Sequence, residues 1–198
     1  LVELAREIGL WVWSDEVYEA LQFSGMPLDI ASLAPECTFS VYSFSKVYGM
    51  AGNRVGYIVG PSEDVMVELA KAQKHTYYSV TTAAQYAALR VLECGEPWLA
   101  QAKQAYHRIG EEVAQILGLP NPQGGTFLFF DVSAYVDETG VDGFLEECIS
   151  RGLLLAPGES FGREYSNCIR LCFTSAAPAT VLEGVNILKD IMVQFMAL

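Results

Sequence analysis

The chain has 198 residues, of which 52% are hydrophobic, and its formal net charge is −12. This length and composition suffice for one globular domain or two small ones, and the acidic balance disfavours nucleic acid or an anionic membrane as a partner, because phosphate-rich surfaces attract cationic patches. No apolar run approaches the roughly 18 residues of a membrane span, and the five cysteines lack the spacing of a disulfide framework or a zinc site, so we expect no metal site.

The first half of the chain alternates predicted helices and strands. In chain order, the pattern predicts an amphipathic helix over 1–9, a strand over 10–13, a loop containing Gly25, Pro27 and Pro35, strands over 38–42 and 54–59, and helices over 61–75 and 81–93. The first strand is apolar at every position, which is typical of a parallel strand buried on both faces. We therefore predict an α/β fold.

A break at Gly95-Glu96-Pro97 precedes a second group of elements, and we predict domains over 1–95 and 96–198. The later elements are a helix over 98–117, a strand over 126–132, a helix over 141–151, strands over 153–156 and 169–173, and an amphipathic helix that begins at Pro178. This second group predicts a small α+β domain.

Lys46 lies in the segment 43–57, which reads SFSKVYGMAGNRVGY. A lysine amine condenses with an aldehyde only when it is deprotonated, so it needs burial or a neighbouring cation that lowers its pKa. Arg54, eight residues later, could supply that charge while its guanidinium binds a phosphate. Ser43 and Ser45 would add hydroxyl donors to the same phosphate.

Two further charged residues stand next to or within predicted strands. Asp15 follows the apolar strand over 10–13, and ligands of open parallel sheets gather at such strand ends. Arg170 lies within the predicted strand over 169–173, where an arginine is costly unless it faces a ligand or a paired acid. Both are therefore candidate site residues.

Three motifs together resemble the class I/II aminotransferases, which have the fold type I and depend on pyridoxal 5′-phosphate. They are the lysine segment over 43–57, the Asp-Glu-Val-Tyr sequence of 15–18, and the Pro-Gly-x-x-Phe-Gly turn of 157–162 that precedes Arg170. The resemblance covers essentially the whole chain. It implies the C-terminal part of the large cofactor-binding domain over 1–95 and the small C-terminal domain over 96–198.

The resemblance also implies a role for each candidate near the cofactor ring. Lys46 would be the Schiff-base lysine and would move a proton between the substrate Cα and the cofactor. Asp15 would keep the ring nitrogen protonated, so that the ring accepts carbanion density. Tyr18 would donate a hydrogen bond to the phenolic oxygen of the ring.

The remaining roles concern the two anionic groups. In the family, Ser43, Ser45 and Arg54 would bind the cofactor phosphate, and Arg170 would bind the substrate α-carboxylate with two hydrogen bonds. The implied activity is transfer of an amino group between an amino acid and a 2-oxo acid, in a cytoplasmic homodimer. The matched part is the C-terminal half of the family fold, and other site residues come from the N-terminal half. We therefore expect the isolated chain to bind cofactor weakly and to turn over little.

Two alternatives remain open at this point. The same fold and motifs serve lyases and decarboxylases, although Tyr18 favours a transaminase, because lyases more often have histidine there. Some bacterial transcription regulators carry an aminotransferase-like domain that senses the cofactor, and a winged-helix segment upstream would identify such a protein. Neither the amino acid nor the 2-oxo acid follows from the sequence.

Overall fold

The computed structural model describes residues 1–26 and 28–196. Pro27, which the sequence places in a loop, and residues 197–198 lie outside the described residues. The chain divides into two compact units, Leu1–Ala102 and Lys103–Leu198.

The first unit contains three strands and the helices around them. Its elements are α1 (Val2–Ile8), β1 (Val12–Asp15), α2 (Ile30–Leu33), β2 (Thr38–Ser43), α3 (Phe44–Val47), β3 (Gly56–Val59), α4 (Glu63–Thr76), α5 (Thr82–Cys94) and the first part of α6 (Glu96–Leu117). Two 3-10 helices, Glu19–Leu21 and Ala51–Asn53, lie between them. The helix α6 includes the division between the units.

The second unit contains three strands and two further helices. Its elements are β4 (Phe127–Asp131), α7 (Gly140–Ser150), β5 (Ala156–Pro157), β6 (Cys168–Cys172) and α8 (Pro178–Met196). Three 3-10 helices, Ser133–Tyr135, Gly158–Phe161 and Arg163–Tyr165, connect them.

The helices predicted over 61–75 and 81–93 start within two residues of those positions. Ser62 caps α4 by accepting a hydrogen bond from the Val65 N–H, and Thr81 caps α5 in the same way. The long helix α6 begins earlier than predicted, at Glu96, and includes Pro97. Proline is tolerated in the first turn, where its missing N–H has no intrahelical partner.

Several predicted segments differ from the structure. The strand over 10–13 is found at Val12–Asp15, and it is not buried on both faces, because Trp13 is 57% exposed. The strand over 54–59 begins only at Gly56, because Arg54 adopts the left-handed conformation with φ 53° and ψ 48°. The strand over 153–156 is reduced to Ala156–Pro157. The predicted loop before β2 contains α2, whose N-terminus is capped by Asp29 accepting from the Ser32 N–H at 3.1 Å.

Each unit has its own sheet. The first sheet has the order β1-β2-β3, with β1 parallel and β3 antiparallel to β2. The second sheet has the order β4-β6-β5, and both outer strands are antiparallel to β6. Within the described residues, no helix combines the length and the apolarity of a membrane span.

The two units also have separate apolar clusters. In the first unit, Phe44 packs with Val55, Ala84 and Ala88. In the second unit, α8 buries one face, which consists of Val181, Val185, Leu188, Ile191 and Met192. These five residues follow one another at intervals of four, three, three and one positions, as expected for the apolar face of an amphipathic helix.

Candidate active site

The strand registers bring most of the predicted site residues to one edge of the first sheet. Asp15, the last residue of β1, pairs with Val41 of β2, and Ser43, the last residue of β2, pairs with Gly56 at the start of β3. Because β1 and β2 are parallel and β3 is antiparallel, two strands end and one begins at this edge. Arg54 lies two residues before the start of β3, and Lys46 lies three residues after the end of β2.

The short helix α3 presents Lys46 to solvent. Ser43 caps the helix, since its hydroxyl oxygen accepts a hydrogen bond from the Ser45 N–H at 3.1 Å. Phe44 and Val47 lie three positions apart, on one face of a helical turn, and both are buried. Their burial directs Lys46 away from the core, and its side chain is exposed.

Arg54 occupies a conformation that is unusual for its residue type. Its φ of 53° lies in the left-handed region, which is unfavourable for residues with a Cβ atom. Its Nη1 donates to the carbonyl oxygen of Ala51 at 3.0 Å. In the described part of the chain the guanidinium makes no ion pair, so most of its donors face no acid.

Asp15 ends β1, and Tyr18 lies three residues after it. One carboxylate oxygen of Asp15 accepts a hydrogen bond from the Val17 N–H at 3.2 Å, which shapes the turn after the strand. Asp15 itself is exposed. Tyr18 is half-buried and immediately precedes the 3-10 helix that ends at the fully buried Leu21.

A small cavity of about 110 Å³ lies beside this edge. It is lined by Glu16, Glu19, Ala20, Tyr42, Ser43, Phe44, Val47, Tyr48, Tyr57 and Leu92. Of the predicted site residues, only Ser43 belongs to this lining. Successive residues of a strand face opposite sides of the sheet, so Tyr42 lies on the face opposite to Asp15 and Ser43.

Three groups that line this cavity have a raised pKa. Burial raises the pKa of the Glu19 carboxyl, and the nearby charges of Glu16 and Asp29 add to this effect. Burial likewise raises the pKa of the Tyr42 and Tyr57 hydroxyls. At neutral pH these two tyrosines are therefore hydroxyl donors.

Glu19, Tyr42 and Tyr57 line this cavity but were not among the predicted site residues. Tyr42 and Tyr57 are register partners on β2 and β3, and their rings stack with centroids 4.7 Å apart and an interplanar angle of 14°. Both tyrosines stand in predicted strands, but their contact depends on the register of the two strands. A prediction of the strand register would have been needed to place these two tyrosines next to each other.

Arg170 lies in the second unit, in the central strand β6. It pairs with Phe129 of β4 and with Ala156 of β5. Its guanidinium carbon lies 5.4 Å from the centroid of the Phe127 ring and 4.9 Å from that of Phe161. Among the described residues its side chain has neither an ion pair nor a hydrogen bond.

A larger cavity of about 560 Å³ borders Arg170, within the range of small-molecule pockets. Its lining comes from residues 152–156, 170–172 and 175–176 and from the first three turns of α8, and it includes Leu153, Leu155, Val181, Val185 and Leu188. Arg170 therefore borders a space whose lining is mostly aliphatic.

Comparison with known proteins gives a consistent result. The sequence profile described as "Aminotransferase class I and II" matches residues 1–188. The chain is 30% identical to the probable aspartate/prephenate aminotransferase of Aquifex aeolicus and 32% identical to the aspartate aminotransferase of Thermotoga maritima. These alignments cover 96% and 97% of this chain and 50% of each relative.

Solved structures show the same correspondence. A double mutant of Thermus thermophilus aspartate aminotransferase matches with a TM-score of 0.85 and 27% identity, over 96% of this chain and 50% of that structure. The aromatic aminotransferase of Pyrococcus horikoshii matches with a TM-score of 0.87 and 26% identity, over 98% of this chain and 53% of that structure. The chain thus spans about half the length of the proteins it matches, and the predicted α/β fold class is confirmed.

Proposed function

The chain belongs to the aminotransferase class I and II family, and from this premise we propose that it is part of a pyridoxal-phosphate-dependent enzyme. The enzyme transfers an amino group between an amino acid and a 2-oxo acid. One observation carries the proposal: Asp15 and Ser43 end the parallel strands β1 and β2, and Ser45, Lys46 and Arg54 lie within three residues of the end of β2 or the start of β3. This combination matches the reactive and anionic groups of the cofactor.

The donor set at this edge fits a phosphate. Ser43 and Ser45 have hydroxyl groups, and Arg54 has a guanidinium whose donors largely face no acid in the described residues. Ser43 accepts a hydrogen bond through its oxygen, which leaves its own proton available to a phosphate oxygen. These three residues would hold the phosphate group by charge-assisted hydrogen bonds.

Asp15, Tyr18 and Lys46 would act on the ring and the substrate. When bound, pyridoxal phosphate supplies an electron-poor ring that stabilises negative charge at the substrate Cα. Asp15 holds the proton on the ring nitrogen, since its carboxylate stabilises the resulting cation. Tyr18 donates to the phenolic oxygen of the ring. Lys46 would hold the cofactor through its amine, and the same amine would move the Cα proton of the substrate.

Arg170 would bind the α-carboxylate of the substrate. A guanidinium offers a planar pair of donors that matches a carboxylate, and Arg170 has no acid partner in the described residues of its unit. Relatives are named for aspartate and prephenate, so L-aspartate is the first amino donor to test.

We further propose the organisation and setting of the whole enzyme. Residues 1–95 would belong to its large cofactor-binding domain and residues 96–198 to its small C-terminal domain. The enzyme would be a cytoplasmic homodimer in amino-acid biosynthesis.

The test is covalent trapping of the cofactor on the 198-residue chain. Pyridoxal phosphate is added, the mixture is reduced with borohydride, and the modified peptide is mapped by mass spectrometry. We expect one adduct, on Lys46, and none on Lys74, a second exposed lysine. Labelling spread over several lysines would contradict a specific site on this chain. A separate sample with bound pyridoxal phosphate, not reduced with borohydride, is then mixed with L-aspartate. Release of oxaloacetate from this sample tests amino transfer separately from binding.

A further inference from the structure

The guanidinium of Arg170 lies against two aromatic rings, and no polar partner in the described residues fixes its position. Its central carbon is 5.4 Å from the Phe127 centroid and 4.9 Å from the Phe161 centroid, within the distance of a cation–π contact. Phe127 is on β4, in register with Cys172, and alternation places it on the same face of the sheet as Arg170. Two separate segments thus contribute one ring each.

Phe161 reaches this position because the preceding turn lies directly on the start of β6. Pro157 pairs with Ile169, and the 3-10 helix Gly158–Phe161 follows at once. A Cβ atom on Gly158 would lie 2.3 Å from the carbonyl oxygen of Tyr165 and 2.5 Å from that of Cys168. Only glycine permits so close an approach. The glycine of the Pro-Gly-x-x-Phe-Gly sequence therefore allows the turn to place the Phe161 ring beside Arg170.

Burial alone does not account for Phe161. The residue keeps 47% of its surface exposed, whereas the core of the second unit is built from fully buried residues such as Phe144. Its ring instead contacts Arg170 and, edge to face, Phe129, with centroids 5.6 Å apart and planes at 81°. Phe129 in turn supports the ring from the neighbouring strand.

Aromatic contacts suit an arginine that must stay available to an anion. An aromatic ring attracts a guanidinium without accepting its N–H groups, which point outward in the guanidinium plane. A carboxylate partner from the protein would occupy those same donors. The rings can therefore restrict the side chain while its donors remain free.

We propose that Phe127 and Phe161 are positioning residues, which hold the guanidinium of Arg170 ready for a carboxylate ligand. The inference deepens the proposed function and rests on the carboxylate-binding role given there to Arg170. The two rings do not touch the ligand in this proposal. They restrict the rotamers of Arg170, so that less side-chain entropy is lost on binding.

The experiment uses nuclear magnetic resonance of the Arg170 Nε–H group in the full chain, with the signal identified by its loss in Arg170→Lys. The order parameter of this group in the free protein measures how firmly the guanidinium is held. Titration with 3-phenylpropanoate, which has a carboxylate but no amino group, gives a Kd, and 3-phenylpropanamide is the uncharged control. The variants are Phe161→Leu, Phe161→Tyr and Phe127→Leu.

The matched control is Tyr165→Leu. Tyr165 belongs to the same aromatic group, since its ring meets that of Phe129 at 5.3 Å and 86°. No cation–π contact joins it to Arg170 in the described residues.

We expect Phe161→Leu and Phe127→Leu each to lower the order parameter and to raise the Kd about two- to fivefold, the range of exposed cation–π pairs. Phe161→Tyr, which keeps a ring, and Tyr165→Leu should leave both quantities unchanged. Unchanged order parameters in both leucine variants would overturn the positioning role. Failure of the wild-type chain to bind the carboxylate, with the order parameters changing as expected, would instead remove the ligand role that the proposed function assigns to Arg170.

Discussion

The two sheets hold their candidate anion-binding arginines in different ways. In the first sheet, every residue of β3 is exposed, and Arg54 is placed by a left-handed backbone and one hydrogen bond to Ala51. In the second sheet, Ile169 and Leu171 are buried on one face, and Arg170 on the other face lies against two rings. The same task is thus supported by backbone conformation in one unit and by aromatic packing in the other.

The largest expected effect concerns the reactive group of the first sheet. Lys46→Ala should abolish the specific labelling by pyridoxal phosphate that borohydride traps. The reason is that the segment from Ser43 to Arg54 contains no other lysine. Lys74→Ala removes an exposed lysine of α4 and should leave the labelling intact. Mass mapping of both variants measures the result. If the Lys46→Ala variant were still labelled at a single site, another lysine would be the reactive residue.

The difference in burial between the sheets predicts unequal stability effects of the same substitution. Ile169 is fully buried, whereas Ile58 on β3 is 36% exposed. Ile169→Ala should lower the free energy of unfolding by about 2–5 kcal/mol, since it leaves a cavity in the core. Ile58→Ala should lower it by less than about 1 kcal/mol. Urea unfolding followed by circular dichroism compares the two, and equal losses would refute the contrast.

Removal of the Arg54 charge tests whether this guanidinium binds the cofactor phosphate. Arg54→Asn keeps a residue that tolerates the left-handed conformation but removes the guanidinium. The affinity for pyridoxal phosphate should fall about 10- to 100-fold, the value of about one charge-assisted hydrogen bond. Absorbance titration measures the Kd.

The control for this charge is Arg90, which pairs with Glu93 on the exposed surface of α5. Arg90→Asn should leave the affinity within about twofold, since exposed ion pairs contribute little. If Arg54→Asn and Arg90→Asn lost affinity equally, general charge rather than a specific phosphate contact would be responsible.

The turn of the second sheet can be disturbed through its backbone. Gly158→Ala would place a methyl group 2.3 Å from the Tyr165 carbonyl oxygen, which should cost about 1–3 kcal/mol in unfolding free energy. A Cβ on Gly52 meets nothing within 4 Å, so Gly52→Ala should be neutral or slightly stabilising. Thermal unfolding of both variants measures this, and a neutral Gly158→Ala would show that the turn can move away from β6.

The smallest expected effect is a pH dependence that separates buried from exposed cysteines. Burial raises the pKa of the Cys148 thiol to about 11, from a usual value of 9.0, whereas Cys94 is exposed. The unfolded chain therefore loses this proton first, so stability present below pH 9 is lost as the pH rises towards 11, by up to about 2 kcal/mol. Cys148→Ala should flatten this part of the stability profile, and Cys94→Ala should preserve it.

Much of the local structure could be predicted because its signals are local. The helices α4 and α5 start within two residues of the predicted positions, where Ser62 and Thr81 cap them, since a capping hydroxyl acts on N–H groups within three residues. The short strand β5 could not be predicted, because the apolar run over 153–155 fits a strand but does not pair as one. Pairing depends on partners that are distant in the sequence.

The sequence alone determined which chemical groups this protein has. The segment 43–57, Asp15 and Arg170 named the candidate groups, because amines, carboxylates and guanidinium groups have fixed reactivity. Only the tertiary structure decided which groups meet. Strand register placed Arg54 at the same edge as Asp15 and brought Tyr42 onto Tyr57. Close approach at Gly158 brought Phe161 to Arg170. These contacts join residues far apart in the chain, and their geometry follows from packing rather than from any local pattern.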